Sequence, residues 1–264
     1  PLPNALDKIN VGRYIAAARD YPEAIKSYGI MSANIPAVTL VRDQLLEAAS
    51  ANGFVLKSKI EYAPAGESGW ANFVADMKSK DIKVLEFVGQ PTDLTALSRA
   101  METAGWHPEI TLLSANFYDA NFATEAGAVA GNLSIQTAFY PFEQASENKA
   151  TQDYLDLMKQ YNPDGKVALL GAQSISAWLL FAQSAAACGS DLTAKCLLAK
   201  AGAATEWSGG GLHAPATPSN TEPGDCWLSM GLSAKGFAVN EKATQANSGI
   251  YNCDPANVLT LKGG

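Results

Sequence analysis

Four sets of side chains in this sequence could do chemistry: amides and aromatics that follow apolar runs, four cysteines, two histidines and one Gly-rich run. Gln90 follows the apolar run Lys83–Gly89, and Asn116, Phe117, Tyr118 and Asp119 follow Ile110–Leu113. Apolar runs of this length suit strands covered on both faces, and open parallel sheets bind ligands at the loops leaving their carboxyl ends. An amide there offers a donor and an acceptor, and an aromatic ring offers a stacking surface. Gln90 equally suits a solvated turn beside Pro91, and Asn116–Asp119 a loop built on Asx turns around a partly buried aromatic. The residues alone leave both readings open.

Catalytic chemistry has little to stand on. His107, between Trp106 and Pro108, reads as a loop histidine. No G-x-S-x-G, H-E-x-x-H, P-loop or EF-hand spacing occurs, so no catalytic residue, resident cofactor or metal ligand set is expected. Gly209–Ala214 (GGGLHA) formally fits G-x-G-x-x-A. A dinucleotide site needs a strand before that motif and a helix after it, whereas Trp207-Ser208 precede it and Pro215 follows. A flexible connection is the expected reading. Asn132-Leu133-Ser134 is a formal glycosylation sequon that opens an expected strand, and it carries no functional expectation.

The cysteines fall into two local pairs, Cys188/Cys196 and Cys226/Cys253, without C-x-x-C spacing. Cys188 ends an apolar helix and Cys196 lies in the next short one, which suits a bridge closing a helical hairpin. Cys226 and Cys253 flank a Gly/Asn-rich tail with little core of its own, where a disulfide would contribute about 2–4 kcal/mol. Two disulfides imply an exported protein. Four buried thiols in a cytosolic protein is the alternative.

The chain's 264 residues, 47% of them hydrophobic, suffice for one large core or two lobes. A net charge of −7 argues against nucleic-acid partners, because nothing here could neutralise a row of phosphates. No Lys/Arg run suggests an anionic membrane surface, and no segment approaches the ~18 apolar residues of a spanning helix. The opening PLPNALDKINVG does not read as a signal peptide, so any export signal is absent or already removed.

The elements that must position these residues alternate. Residues 1–136 read as helix 10–18, strand 28–32, helix 38–51, strand 54–62, helix 70–80, strand 83–89, a helix ending at Gly105, strand 110–113 and strand 133–138. This is βαβ spacing. Thr92 is the expected N-cap of the helix after Gln90, Gly105 its left-handed C′ residue, and Pro108 its stop. Residues 137–205 read as three helices (148–160, 172–187 and 192–201) with no strand to cover. Trp70, Phe73 and Met77 form one helical stripe, and Trp178 with Phe181 another. Both are simplest as core, although the second would be exposed if these helices lack a sheet. Residues 206–264 read as a loop-rich tail with edge strands at 227–232 and 258–261.

Three stretches carry a family resemblance: KVLEFVGQPTDLTALSRAMETAGWHPEITLLSANFYD, the helical region from YPFEQASENKATQDY through GSDLTAKC, and the closing EWSGGGLHAP and PGDCWLSM. In order and layout the chain resembles the second half of a type I periplasmic solute-binding protein of the branched-chain amino-acid (Leu/Ile/Val) ABC-transporter family. The resemblance implies an α/β fold of two Rossmann-like lobes of parallel sheet flanked by helices, the first lobe incomplete here. It implies a C-terminal-type ligand-binding lobe at 1–136, a helical segment at 137–205 returning to the other lobe, and a crossing with a disulfide-bearing tail at 206–264. It further implies ligand contact at Asn34, Ile35 and Pro36, at Gln90 and Pro91, and at Asn116, Phe117 and Tyr118, with Phe139 and Tyr140 at a lobe crossing. Members specific for amino acids tend to carry an acid at the third loop for the ligand's ammonium. Asn116 stands there instead, with Asp119 nearby, which favours a sugar, an aromatic acid or another polar–apolar molecule. The implied role is capture of a small molecule, without chemistry, by a periplasmic or cell-surface protein, exported and lipid-anchored through a removed N-terminus. Its implied partners are an ABC permease and a missing N-terminal lobe fragment. A ligand-sensing receptor ectodomain of the same fold is the alternative, with an α/β enzyme a remoter one.

Overall fold

The computed structural model describes residues 7–219 and 222–262. Residues 1–6, part of the stretch read as lacking a leader, lie outside them. The chain opens with β1 (Lys8–Asn10) and α1 (Gly12–Asp20). A βα series follows: β2 (Tyr28–Ala33), α2 (Pro36–Ala51), β3 (Leu56–Tyr62), α3 (Trp70–Ser79), β4 (Val84–Val88), α4 (Pro91–Ala104), β5 (Ile110–Leu113), α5 (Ala120–Glu125) and β6 (Leu133–Thr137). Three helices come next, α6 (Lys149–Tyr161), α7 (Leu169–Cys188) and α8 (Ala194–Gly202). The chain closes with β7 (Cys226–Ser233), β8 (Gly236–Val239), α9 (Glu241–Thr244), β9 (Asn252–Cys253) and β10 (Val258–Thr260).

One sheet runs in the order β3-β2-β4-β5-β6-β7-β8, with β9 paired to β7. The strands from β3 to β6 are parallel, whereas β7 and β8 join antiparallel. Every residue of β2 and β5 is buried, as a strand covered on both faces requires. Leu45, Ala48 and Ala49 of α2 and Tyr14 and Ala17 of α1 pack on one face with Tyr28, Ile30 and Val84. Val74 and Met77 of α3, with Leu94, Leu97 and Met101 of α4, pack on the other with Met31, Leu85 and Phe87. The helical segment has only a small cluster of its own, Tyr154, Ala172 and Leu212. Trp178 of α7 is 65% exposed and Leu198 of α8 is 74% exposed. The Trp178–Phe181 stripe is therefore surface and not core, while Met77 of the other stripe is fully buried.

Local signals failed where a distant partner or a proline overrode them. Asn10, expected to begin the first helix, ends β1 instead, which pairs with the far tail (Lys8↔Thr260, Asn10↔Val258), and α1 starts at Gly12. Thr92 is not the N-cap of α4: Gln90 is, in extended conformation, with Pro91 as the first helical residue. Proline's fixed φ and missing N–H suit that position, and it forces its predecessor extended. Gly105 ends the helix in the left-handed conformation (φ 56°), as expected. The 227–232 strand is no edge: β7 lies between β6 and β8, with Trp227, Leu228, Ser229 and Met230 buried. β8 has no counterpart in the sequence reading, and the tail completes the sheet of the first 136 residues instead of covering the helices. Both expected disulfides form, Cys188–Cys196 between α7 and α8 and Cys226–Cys253 between β7 and β9.

Glu86, on β4 between α1 and the sheet, is 1% exposed. Arg13 of α1 forms an ion pair with it, and Tyr14 Oη donates to both carboxylate oxygens at 2.9 and 3.0 Å. Tyr28 Oη donates to it as well. Burial alone would depress the Arg13 guanidinium, but Glu86 beside it holds its pKa above the ordinary value. Burial pushes both tyrosine hydroxyls up. Removing one partner leaves the other charged, buried and unmatched, which costs about 3–5 kcal/mol. Glu86→Gln should lower stability to urea by that order, and adding Arg13→Met should recover part of the loss; equal or greater loss in the double variant would show the pair is not coupled.

Candidate functional site

The carboxyl ends of β2, β4 and β5, neighbours in the sheet, present three loops along one edge. The first two are built alike. Ile35 and Gln90 are extended N-caps, Pro36 and Pro91 follow as first helical residues, and neither cap side chain bonds a backbone N–H. The first-turn amides of two long helices, 16 and 14 residues, are thus left without side-chain caps at this edge.

Asn34, Ile35 and Pro36 are exposed, as is Gln90, with Pro91 half-buried. Asn116 donates its amide to the Gly89 carbonyl at 2.9 Å, tying the third loop to the second. These residues share one edge. Phe117 and Tyr118 do not belong to its open surface. Phe117 is fully buried, with Phe87 and Phe122 edge-on at 6.0 and 5.4 Å. Tyr118, 1% exposed, stacks on Phe142 at 4.8 Å, accepts from the Phe142 N–H at 2.7 Å and donates to Glu143. Both anchor the loop from below. A three-residue 3₁₀ turn, 115–117, swings them inward, nearer to the loop around a partly buried aromatic than to the ligand contact that the resemblance implied.

Asp119 is also spoken for. One carboxylate oxygen accepts from the Asn121 and Phe122 N–H groups at 2.8 and 3.2 Å, capping α5, and the other pairs with Lys166. The side chain is 4% exposed. The adjoining backbone docks the start of α7, with Leu169 N–H donating to the Tyr118 carbonyl at 3.1 Å. Beyond β6, Tyr140 is partly buried, its backbone N–H on the Leu212 carbonyl at 2.8 Å. Burial, then the nearby Glu147 charge, raise its hydroxyl pKa.

Tyr62 and Asp93 went unnoticed in the sequence. Tyr62, the last residue of β3, donates to Asp93 Oδ2 at 2.8 Å. A Cβ on Gly89 would stand 1.9 Å from the Tyr62 hydroxyl, so the backbone of the second loop fits directly under this pair. The available signals were Tyr62 closing an alternating strand and Asp93 in the first turn of α4. His107 Nδ1 lies 3.1 Å from the Pro108 carbonyl and 3.0 Å from the Asn132 amide, in the loop role expected of it. In the sequon, Ser134 Oγ is buried 2.8 Å from Ser229 Oγ. Among the described residues, no group of three or more His, Cys, Asp or Glu converges as a metal site, and no helix is long and apolar enough to cross a membrane.

The edge as a whole offers backbone N–H groups, the three amides of Asn34, Gln90 and Asn116, an exposed Ile35 and no free carboxylate from Asp119; Asp93, beside it, has one oxygen on Tyr62. It can hold a small molecule by hydrogen bonds and apolar contact. Gly89→Ala should displace Tyr62 and lower the melting temperature, and the loss should shrink in a Tyr62→Phe background. An equal loss in both backgrounds would show that the hydroxyl does not set the fit.

A sequence profile described as periplasmic binding protein matches residues 9–235. No curated protein sequence matches the chain. Among solved structures, a leucine-binding protein from Thermotoga maritima aligns with TM-score 0.67 and 12% identity, over 88% of this chain and 65% of that one. A fatty acid ABC transporter substrate-binding protein from Thermomonospora curvata gives 0.67 and 15%, over 90% and 63%. The branched-chain amino acid transporter substrate-binding protein of Streptococcus pneumoniae, solved with isoleucine, gives 0.64 and 13%, over 86% and 64%. The chain therefore spans under two thirds of the length of each of these three.

Proposed function

This chain belongs to the periplasmic binding protein family, of type I fold, and from that premise we propose that it is the sheet lobe and returning helical layer of an exported solute-binding component of an ABC importer. The alignment of Asn34–Pro36, Gln90–Pro91 and Asn116 along one carboxyl edge carries this reading. A ligand there would bridge to a second lobe and stabilise closure by its greater affinity for the closed state, and the closed form would dock on a membrane permease. The protein would perform no catalysis. Tyr140, beyond β6, would line the cleft where the chain crosses between lobes. Lipid anchoring through a segment preceding Pro1 is part of the same proposal.

The apolar surface of α7 and α8 supports a helical layer made to be covered. Trp178, Phe181 and Leu198 are large apolar side chains left exposed on these helices, and exposed apolar patches mark surfaces that another body covers. We assign its cover to the sheet of the other lobe, supplied by sequence outside this chain. The 264-residue chain alone should bind anilinonaphthalene sulfonate and self-associate, and Trp178→Ser with Phe181→Ser should reduce both. A monodisperse, dye-silent chain would overturn the assignment.

The sequestration of Asp119 bears on the ligand. With one oxygen capping α5 and the other on Lys166, it has no free valence for an ammonium. Uncapped helix N-termini instead suit a carbonyl or carboxylate. With Asp119 engaged, the reading takes a ligand without an amino group, nearer in chemistry to the fatty acid named for the T. curvata protein than to leucine. In the full-length polypeptide containing this chain, 4-methylpentanoate or 3-phenylpropanoate should raise the melting temperature where L-leucine and L-phenylalanine do not. Gln90→Ala and Asn116→Ala should each weaken binding about tenfold, the worth of one net hydrogen bond. Tighter binding of the amino acids would sink the ligand class, and no binding by any of the four compounds would sink the site.

A further inference from the structure

The two segments that connect the sheet to the helical layer meet at a histidine. Phe139, just after β6, pairs with His213 in an isolated antiparallel bridge, and their rings lie 4.8 Å apart. His213 Nδ1 lies 2.8 Å from the Ala214 carbonyl, which can only accept, so Nδ1 carries the proton. Nε2 lies 2.7 Å from Ser176 Oγ of α7. The same hydroxyl oxygen accepts from Trp207 Nε1–H at 3.0 Å. A one-way chain results: the Trp207 indole donates to Ser176, Ser176 donates to Nε2, and Nδ1 donates to Ala214. With a neutral ring, the three side chains are mutually satisfied.

The backbone closes over this chain. Gly209, Gly210 and Gly211 all have positive φ (61°, 75° and 109°), and a Cβ on Gly209 would stand 2.9 Å from Ser176 Oγ and 3.3 Å from His213 Nε2. The G-x-G-x-x-A pattern is therefore a tight turn around a histidine, an ordered connection and no nucleotide motif.

We propose that the His213–Ser176–Trp207 chain is a pH-sensitive tie between α7 and the two connecting segments, intact with neutral His213 and loosened when His213 takes up a proton. A protonated Nε2 would have to donate to Ser176, reversing that bond, and would place a cation where no carboxylate faces it. α7 carries no charged residue, and neither does the segment 207–219. On α6, Lys149 and Asp153 pair with each other in solvent. Glu206, before Trp207, is exposed, and Glu147 is exposed near Tyr140. Of the tyrosines on the adjoining elements, burial raises the hydroxyl pKa of both Tyr140 and Tyr154. Burial likewise lowers the pKa of His213, against a smaller opposing effect of the Ala214 carbonyl. A base whose folded pKa lies below its unfolded value contributes stability fully present above about pH 6.5 and lost as pH falls below it.

Imidazole NMR titration in a His107→Gln background, with hydrogen exchange of α7 from pH 8 to pH 5, tests this. His213 should titrate below the ~6.5 of a free imidazole. Protection in α7 and 207–214, corrected for intrinsic rates, should fall as pH drops from ~6.5 to the His213 midpoint, by at most roughly tenfold per pH unit, and level off below that midpoint, as one linked proton requires. Ser176→Ala, which removes the donor to neutral Nε2, should raise the midpoint and, with it, the pH at which the exchange step levels off. His213→Gln should abolish the step. A step that persists in His213→Gln, or protection that stays flat while His213 titrates, overturns the proposal. If His213→Gln fails to fold, an exchange step in Ser176→Ala that does not follow the shifted midpoint overturns it as well.

Discussion

A parallel strand joined by helical crossovers has no face it can leave to water, and the rest of this structure follows from that constraint. β2, β4 and β5 sit mid-sheet, so helices must cover both sides, and α1–α2 and α3–α4 divide the task. With both faces closed, solute reaches the sheet only at the strand ends. The loops there are consequently where polar side chains gather. Glu86, a charge placed inside the sheet's cover, is held by an arginine and two tyrosine hydroxyls, which tie α1 to β4.

The helical layer is organised differently. Its internal cluster is small; Leu169 and the Tyr118–Phe142 stack seat it on the sheet's core, and the other ties are polar: Lys166 on Asp119 at the base of α7, Ser176 on His213, and Asn148 donating to the Gly211 carbonyl at 3.0 Å. Polar ties of this sort locate a body without welding it, since each is worth little net free energy against the solvent alternative. A layer held so lightly suits a part that must shift relative to its neighbour.

The βα rhythm was legible in the sequence because each unit carries its own signals. The run 83–89, the break at Pro91 and the left-handed Gly105 are all local. The disulfide pairs were legible from local position, one closing a helical hairpin and the other flanking a tail with little core of its own. What failed was non-local. β1 depends on a partner some 250 residues away, and β7 takes an inner place only because β8, a short strand after a tight turn, covers its far side. Within the candidate site, the strand ends were foreseeable from layout, but the inward turn of Phe117 and Tyr118 was not. Their alternative environments, solvent or the Phe87–Phe122–Phe142 packing, are decided by chains of contacts that begin on other elements.

The outermost strand has a consequence of its own. β3 alternates strictly, with Lys57, Lys59 and Glu61 outward and Ser58, Ile60 and Tyr62 inward. An unpaired strand edge is a template for another chain, and charged residues along it, lysine above all, are a deterrent to such pairing. At the opposite edge β8 is only four residues long and runs straight into α9. Both borders of the sheet are thus closed to extension, one by charge and the other by brevity, so copies of this chain at high concentration are poor seeds for fibrils built strand upon strand.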